Sequence, residues 1–330
     1  ALAAATGRSY GETWLASRRA ARRVEDAVRA IAPDLIHVDS LMGHRLLPNS
    51  FRGPAILNHH NVESHMMERR ASGAVGPLAV FLRREAARLA DLERSTASRF
   101  AAHVAVSELD RERLLLLIPG ARCEVVPNGV DSEFFRPLDV PEVPGTLVFA
   151  GRMNWYPNDN AARRFLRDLW PVLLSRLPDV RLAIVGMNPT ARLRAAARSR
   201  QRVDVTGFVE DVRPHLASAA VYVCPILDGG GTRLKLLDAM AMGKAIVATP
   251  MAAEGIDVSD GEEMLIREFG DGFVQAVMSL LADPSRRAEL GRKARERAES
   301  RYGWPSIGRR LVELYGSVLR DRRSRAGEES

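Results

Sequence analysis

The sequence predicts an α/β fold made of two doubly wound parallel-sheet domains. Short β-branched or aliphatic runs alternate with longer helical patterns, which is typical of βαβ units and parallel sheets. The length of 330 residues favours two domains over one large core. A proline-rich stretch at 137–145 separates the halves and is predicted to form an extended linker. Because such sheets bind ligands at the carboxyl ends of their strands, we expect a site in the cleft that two such domains would leave.

Four strands are predicted before the linker and six after it. The first four are expected at 35–38, 55–58, 103–106 and 123–126, and the others at 146–150, 181–185, 203–206, 221–224, 245–248 and 264–266. Helical patterns occupy 12–32, 77–101, 159–176, 270–282, 285–300 and 304–319. Apolar side chains recur at helical spacing within 77–101, which predicts a stripe packed against the core: Leu78, Phe81, Leu82, Leu89 and Leu92.

The composition is that of an ordinary globular protein, with 46% hydrophobic and 27% charged residues. No run approaches the roughly 18 apolar residues that a membrane-spanning helix needs. The first thirty residues lack the apolar stretch of a secretory signal. Cys123 and Cys224 lie far apart in the chain and no CxxC pair occurs, which suits a reducing compartment. We therefore expect a cytoplasmic protein without a disulfide framework.

The net charge of +7 is spread along the chain, and its densest basic run is Arg18, Arg19, Arg22 and Arg23. A solvated helix face explains this run, and peripheral contact with an anionic membrane surface or an acidic acceptor is the alternative. Binding to nucleic acid is not expected, because no basic stripe carries interleaved aromatic residues.

Lysine is rare in this chain: only three of the 48 basic residues are lysines, Lys235, Lys244 and Lys293. A lysine that persists among so many arginines indicates a tight site, where a compact ammonium and a planar guanidinium are not interchangeable. Lys235 is the strongest candidate, because it closely follows the three consecutive glycines Gly229–Gly231.

The segment at 228–243 follows a predicted strand, and a helix is predicted to begin after its three glycines. Glycines let the backbone approach a ligand without side-chain obstruction. Thr232 is placed to cap the helix, whose free N–H groups and positive dipole end suit phosphate oxygens. The segment is neither a P-loop nor a dinucleotide fingerprint. A glycine turn with surface cations and a capping Asp is the structural alternative.

The charges that follow the glycines also suit a nucleotide. Arg233 and Lys235 are expected in the first helical turn, where cations oppose the helix dipole. A bound diphosphate removes that conflict. Asp238 lies three residues after Lys235 on roughly the same helix face, about 4.5 Å further along the axis. That offset fits a diphosphate followed by the hydroxyls of its ribose.

These residues resemble the donor-binding segment of the retaining family-4 glycosyltransferases, which have the GT-B fold. Further segments resemble signatures of that family in the same order: 33–37 (PDLIH), 127–131 (PNGVD), 149–152 (FAGR), 207–211 (GFVED) and 239–247 (AMAMGKAIV). The segments 60–64 (HNVES) and 154–158 (NWYPN) also resemble a subgroup associated with exopolysaccharide assembly.

The resemblance implies a role for each matching residue. Arg152 and Lys235 would hold the diphosphate of a nucleoside-diphosphate sugar, Asp238 would bind its ribose, and His60 would contact the donor sugar. His60, Arg152 and Lys235 are therefore the expected catalytic residues. The expected donor-binding residues are Gly151, Arg152, Gly207, Val209, Gly229, Gly230, Gly231, Thr232, Arg233, Lys235 and Asp238.

Two departures from the family pattern limit what carries over. Gly230 stands where the family usually has the first of two glutamates eight residues apart, and Asp238 stands at the second position. Pro157 stands where a lysine often follows the family's glycine–arginine pair by five residues. The phosphate charge therefore falls more heavily on Arg233 and Lys235, and the donor sugar stays unassigned.

A metal site is an alternative for the histidines, because His59 and Glu63 lie four residues apart. Neither an HExxH motif nor a third ligand accompanies them. A structural histidine is the alternative for His60. The expected reaction uses no metal and no cofactor, since cations stabilise the departing diphosphate.

The GT-B resemblance also implies a domain organisation. We expect an acceptor-side domain at 1–138, a linker at 139–145, a nucleotide-sugar-binding domain at 146–300, and a helix at 301–330 that crosses back to the first domain. Trp304, Ile307, Leu311 and Leu314 would form the apolar face of that helix. Because the first predicted strand begins only at residue 35, we also expect the first domain to lack its start.

The expected activity is transfer of a sugar, with retention, from a nucleoside-diphosphate sugar to a hydroxyl of a saccharide or lipid-linked saccharide, in polysaccharide or glycan assembly. A nucleotide-sugar 2-epimerase of the same fold is one alternative, although it would need a pair of carboxylate general acids. A non-catalytic nucleotide-sugar-binding protein is the other. Turnover of donor, as opposed to binding alone, would distinguish them.

Overall fold

A computed structural model describes residues 17–328, with side chains through residue 324. The chain forms two compact units, each built on a parallel β-sheet. The first unit contains residues 17–127, 229–231 and 308–328, and the second contains residues 128–228 and 232–307. The predicted α/β class with two parallel sheets is confirmed. The part of the predicted helix at 12–32 that precedes residue 17 lies outside the described residues.

The first unit has a four-stranded parallel sheet in the order β1-β2-β3-β4. Its strands lie where the hydrophobic runs predict them: β1 Ile36–Val38, β2 Ala55–His59, β3 Ala102–Ala105 and β4 Cys123–Val125. Its helices before β4 are α1 Arg18–Ile31, a 3-10 helix Leu41–Leu46, α2 Glu63–Ser72, α3 Gly76–Ser95 and α4 Glu108–Leu117. No side chain of α1 is buried, so its four clustered arginines are exposed. No helix among the described residues is long and apolar enough to cross a membrane.

The apolar stripe of α3 is shorter than predicted. Leu82, Leu89 and Leu92 are buried as expected, but Leu78 is 54% exposed and Phe81 is 51% exposed. Ala79, in the first turn of α3, is buried, so the core does reach this turn. It covers the side of the helix that carries Ala79 and leaves Leu78 and Phe81 exposed. The prediction was therefore wrong for the first turns of α3.

The second unit has a six-stranded parallel sheet in the order β10-β9-β8-β5-β6-β7. Large fully buried side chains, among them Trp170, Tyr222 and Phe273, pack on it. The strands are β5 Val143–Ala150, β6 Arg181–Val185, β7 Val203–Gly207, β8 Ala219–Cys224, β9 Ile246–Ala248 and β10 Leu265–Ile266. The helices are α5 Tyr156–Arg164, a π-helical turn Phe165–Leu169, α6 Trp170–Arg176, α7 Ala191–Arg198, α8 Arg213–Ser218, α9 Leu234–Ala241, α10 Pro250–Ala253, α11 Asp271–Ala282, α12 Pro284–Arg297, a second π-helical turn Ala298–Tyr302 and α13 Trp304–Glu328.

The predicted linker at 139–145 is part of the second unit. The boundary lies between residues 127 and 128, because the chain after it already packs on the second core. Val130 is buried in that core and its backbone N–H donates to the Tyr302 carbonyl at 2.7 Å. Val140 also packs there, and β5 begins at Val143. Proline content alone did not predict these contacts.

The final helix, α13, is divided between the two units at residue 308 rather than at the predicted 301. Its residues 308–328 belong to the first unit, where the Tyr315 hydroxyl lies 2.6 Å from His37 Nδ1. Ile307 and Leu314 of the predicted apolar face are buried, whereas Trp304 is 55% exposed. The apolar face is real, but Trp304 is not a buried member of it.

Two histidines are buried side by side in the first sheet. His59 Nε2 lies 3.1 Å from His103 Nδ1, between β2 and β3. Burial lowers the pKa of His59 to about 3 and that of His103 to about 4, and each positive ring would repel the other. His59 is therefore a neutral core residue. Among the described residues, no three His, Cys, Asp or Glu side chains gather as a metal site, which leaves the zinc hypothesis for His59 and Glu63 without a third ligand.

This pair should make folding pH-dependent. The unfolded histidines take up protons near pH 6.5 while the folded ones stay neutral to about pH 4, so their stabilisation is complete above pH 6.5 and is lost as the pH falls. Each contributes a slope of up to about 1.4 kcal/mol per pH unit. Burial raises the pKa of Glu93 to about 7, so this carboxyl instead stabilises the folded state as the pH falls.

We therefore expect the double variant His59→Gln/His103→Gln to lose stability less steeply than the wild type between pH 6.5 and 4.5. Urea unfolding at several pH values measures this slope, and the comparison cancels the effect of Glu93. The variant His60→Gln, at an exposed ring, is the control. Equal slopes in the wild type and the double variant would contradict the assignment.

Candidate functional site

A cavity of about 370 Å³ opens at the carboxyl ends of the second sheet's strands. β6 and β7 lie on one side of β5, and β8, β9 and β10 lie on the other, so the chain reverses its direction of winding between β5 and β8. Doubly wound sheets bind ligands at this position. The predicted residues Gly151, Arg152, Val209, Lys235 and Asp238 line the cavity, together with Phe208, Val212, Leu216 and Tyr222.

Two glycines bring the ends of β5 and β6 unusually close. A Cβ on Gly186 would lie 1.8 Å from the carbonyl oxygen of Gly151. A Cβ on Gly151 would lie 2.7 Å from Lys235 Nζ. Both glycines have positive φ angles, +141° and +153°, which side-chain-bearing residues rarely adopt. The space that Lys235 occupies therefore depends on glycine at position 151.

Lys235 lies on the first turn of α9 and points into this cavity. Its ammonium makes a short hydrogen bond to Asn158 Oδ1 and lies 5.0 Å from the centroid of the Phe149 ring. Burial, with a smaller contribution from Arg233, lowers the pKa of Lys235 to about 8, although Cys224 and Asp238 oppose this shift. The ammonium has thus lost much of its hydration, so an anion in the cavity would be strongly stabilised by it.

Asp238 lies one turn further along α9 and lines the same cavity. Burial raises the pKa of its carboxyl to about 7, and Lys235 opposes that shift. A partly desolvated carboxylate gains from ligand hydroxyls that donate hydrogen bonds to it. Cation and acceptor therefore follow one another along one helix face, as the sequence predicts.

Thr232 does not cap the helix. α9 begins at Leu234, its N-cap position is Arg233, and no side chain caps it. The buried hydroxyl of Thr232 has no hydrogen-bond partner among the described residues. Arg233 Nη2 donates to the Asp228 carbonyl at 3.3 Å. The prediction was wrong because it placed the start of the helix one residue too early, and the N–H groups of the first turn are left without a side-chain cap.

The three glycines before Thr232 are grouped with the first unit. Arg69 Nη1 donates to the Gly229 carbonyl at 3.5 Å. Gly231 has a φ of +71°, and a Cβ there would lie 2.2 Å from Asn61 Oδ1. Gly231 is thus required by its backbone conformation and by the room around it.

Arg152 and the residues after β7 form the rim of the cavity. Arg152 is exposed, and its Nε donates to Asn154 Oδ1 at 3.2 Å. Gly207 ends β7 with a φ of +76°, and the next residue, Phe208, is 72% exposed. An exposed aromatic ring at a cavity rim offers a stacking surface for a planar base.

His60 lies in the first unit, directly after β2. Its imidazole is exposed, and Nε2 lies 3.3 Å from Asp39 Oδ1. Asn58 Nδ2 donates to the same carboxylate oxygen at 2.8 Å. The ring is therefore not a core histidine, and Asp39 is placed to orient it.

Asn158 contacts the candidate site, and the sequence did not single it out. Its side chain is buried, its Oδ1 accepts from Lys235, and its Nδ2 donates to the Arg152 carbonyl at 2.9 Å. It thus joins the two predicted phosphate-binding residues. It ends the segment 154–158, which resembles a family subgroup, and that was the only available signal.

Comparisons with known proteins find relatives for both halves of the chain. Residues 5–134 match the model of Glycosyltransferase Family 4, and residues 144–283 match that of glycosyl transferases group 1. Both halves of the chain thus match models of glycosyltransferase families. It is 31% identical over 226 residues to a phosphatidyl-myo-inositol mannosyltransferase of Mycolicibacterium smegmatis, covering 65% of this chain and 57% of that protein. An alpha-maltose-1-phosphate synthase of the same organism is 27% identical over 260 residues, covering 69% of this chain and 66% of that protein. The chain thus spans less than two thirds of the length of these relatives.

Solved structures support the GT-B fold. The sucrose-phosphate synthase of Thermosynechococcus elongatus superimposes with a TM-score of 0.72 at 17% identity, covering 91% of this chain and 77% of that one. Anabaena HepE, solved in complex with UDP, superimposes with a TM-score of 0.64 at 15% identity, covering 89% of this chain and 82% of that one. At these identities the likeness concerns the fold alone.

The lowered pKa of Lys235 can be tested without a ligand. We expect acetic anhydride, used in trace amounts at pH 6–11, to label Lys235 with a half-maximal rate near pH 8. Lys293 is the internal reference, because its ion pairs with Glu262 and Glu289 raise its pKa above 10.5. Mass spectrometry separates the two peptides. Parallel pH profiles for both lysines would show that Lys235 is not desolvated.

Proposed function

We propose that this chain transfers a glycosyl residue, with retention, from a nucleoside-diphosphate sugar to a hydroxyl group of a saccharide or lipid-linked saccharide. The observation that carries the proposal is the cavity at the β5/β8 switch point, in which the desolvated ammonium of Lys235 precedes the carboxyl of Asp238 on α9. A diphosphate joined to a ribose presents the complementary groups in that order.

The diphosphate would be held by cations and by backbone N–H groups. Lys235 and Arg152 line the cavity, and Arg233 lies at the uncapped start of α9. Free N–H groups at a helix start suit phosphate oxygens. As the bond from the sugar to the diphosphate breaks, negative charge grows on the leaving oxygen, and fixed cations stabilise it. The proposal involves no metal ion and no cofactor.

The family resemblance implies further contacts to the donor. Asp238 would accept hydrogen bonds from the ribose, and the base would lie against Phe208 and Val209, after Gly207. Gly229–Gly231 would let the backbone approach the phosphates. His60, oriented by Asp39, would contact the transferred sugar.

The acceptor and the cellular role are proposed from the names of similar proteins and from sequence motifs. Several similar proteins are named as mannosyltransferases that act on phosphatidylinositol derivatives, some of them GDP-mannose-dependent. These names support a lipid-linked or saccharide acceptor. We propose a cytoplasmic role in polysaccharide or glycan assembly, at the membrane surface if the acceptor is a lipid. The segments 60–64 and 154–158 favour the exopolysaccharide subgroup.

A thermal-shift screen with UDP-, GDP-, ADP- and TDP-sugars tests the donor class, because a ligand that binds the folded state raises its melting temperature. Release of nucleoside diphosphate in the presence of acceptor then separates a transferase from a binding protein. Binding of a donor without release of nucleoside diphosphate would favour the non-catalytic binding protein, and isomerisation of the donor sugar would favour the 2-epimerase.

The variant Lys235→Ala should weaken nucleoside-diphosphate binding at least about tenfold, because a charge-assisted hydrogen bond is worth about 1.5–3 kcal/mol. Lys235→Arg should also bind weakly, since the wider guanidinium must fit beside Gly151. Calorimetric titration measures both, with the surface variant Lys293→Ala as the control. Affinity within a factor of about two of the wild type, or about 0.4 kcal/mol, would remove Lys235 from the phosphate site.

The variant His60→Ala should lower turnover at least about tenfold while nucleoside-diphosphate affinity stays within about twofold, because its proposed partner is the reacting sugar. Its melting temperature should match that of the wild type, since the ring is exposed. Asp39→Asn should produce a smaller loss of turnover in the same direction. A parallel fall in nucleotide affinity and turnover would place His60 elsewhere in the site.

A further inference from the structure

A second concave surface of the second unit has a volume of about 700 Å³ and lies between α5, the first π-helical turn and α7. We call it the arginine pocket. Five of its ten lining residues are arginines: Arg163, Arg164, Arg167, Arg192 and Arg200. Of the 330 residues in the chain, 48 are basic and three of these are lysines. Arginine is therefore more than three times as frequent in the pocket as in the whole chain.

The arginines of the pocket outnumber the carboxylates that reach them. Asp159 accepts from Arg163 Nε at 2.7 Å. Asp168 binds Arg167 through two hydrogen bonds of 2.7 and 2.8 Å and lies 3.9 Å from Arg164. No carboxylate is among the residues that line the pocket.

Two of the guanidinium groups keep hydrogen-bonding capacity. Within the described part of the chain, Arg192 has no hydrogen bond or ion pair. Arg164 lies with its guanidinium carbon 5.2 Å from the centroid of the Phe269 ring, and its buried Nε has no hydrogen-bond partner among the described residues. A buried donor without an acceptor is costly, so the Nε of Arg164 indicates a missing acceptor, and the guanidinium of Arg192 is exposed and can bind one.

Local structure places these side chains on one surface. Arg163, Arg164 and Arg167 come from the end of α5 and from the π-helical turn, and Arg200 follows α7. Arg200 is fixed by its Nε, which donates to the Leu166 carbonyl at 2.9 Å. Isolated π-helical turns are rare and are frequently found at functional sites.

We propose that the arginine pocket binds a small anion with two or more phosphate groups. Planar guanidinium groups bind phosphate oxygens through paired hydrogen bonds, which suits a surface that presents several of them. The volume is in the range of small-molecule sites and exceeds what one phosphate would fill. The ligand is either a free oligophosphate or a lipid headgroup with two phosphates. The proposal does not depend on the function of the cavity that contains Lys235.

The experiment uses tripolyphosphate as the probe in a Lys235→Ala background, which removes the most confined of the three cations proposed to bind phosphate at the other cavity. Calorimetric titration should show one binding site in Lys235→Ala. Adding Arg167→Gln and Arg192→Gln should weaken binding at least about tenfold, because each change removes a cation from the pocket. Adding instead Arg198→Gln and Arg309→Gln, two exposed arginines outside the pocket, makes the same change in net charge and should leave the affinity within about twofold.

The source of the ligand is tested with phosphatidylcholine vesicles, with and without cardiolipin, whose headgroup carries two phosphates. Pocket-dependent sedimentation with cardiolipin vesicles would identify a lipid headgroup, and tripolyphosphate binding without sedimentation would identify a free oligophosphate. Equal affinity for tripolyphosphate in the pocket variant and its charge-matched control would overturn the proposal. So would the absence of any binding in the Lys235→Ala background.

Discussion

The candidate site depends on a single constraint, the placement of one ammonium group where the ends of β5 and β6 leave little room. Gly186 lets its strand approach the Gly151 carbonyl, and Gly151 in turn leaves space for Lys235 Nζ. The ammonium lies near the face of Phe149 and donates to the side-chain oxygen of Asn158. Among the described residues, no carboxylate accepts a hydrogen bond from it. Such an arrangement is costly for a cation until an anion arrives, because desolvation disfavours the charged form.

The opposite pKa shifts of Lys235 and Asp238 have the same cause. Burial lowers the first and raises the second, and their mutual attraction offsets neither completely. A pair that had formed for stability would be expected to satisfy both charges directly. Here both side chains face the cavity. A ligand that brings negative charge to Lys235 and hydroxyl donors to Asp238 would offset the desolvation of both. Between about pH 7 and 8 both groups are mainly ionised, which is the range in which such a ligand would be held best.

Local sequence patterns predicted the strands well and the ends of elements less well. All ten strands lie at the hydrophobic runs, because a buried parallel strand needs an apolar sequence. The errors concern the helix start near Thr232, the burial of Leu78 and the linker at 139–145. Each of these depends on how the segment packs within its unit. Asn158 was missed for a related reason: its partner Lys235 lies 77 residues away, and no local pattern reports a contact across that distance.

The rarity of lysine gains a physical explanation from the structure. Lys235 and Lys244 are both held in confined places, the second buried with its Nζ donating to the Ala217 carbonyl at 3.1 Å. Burial lowers the pKa of each. Lys293, on the surface with Glu262 and Glu289, has no such confinement. Arginine predominates where a cation has space, as in the arginine pocket, where a planar fork can reach several oxygens. The chain thus uses lysine and arginine differently: an ammonium where only a compact charge fits, and guanidinium groups where several of them can surround a larger anion.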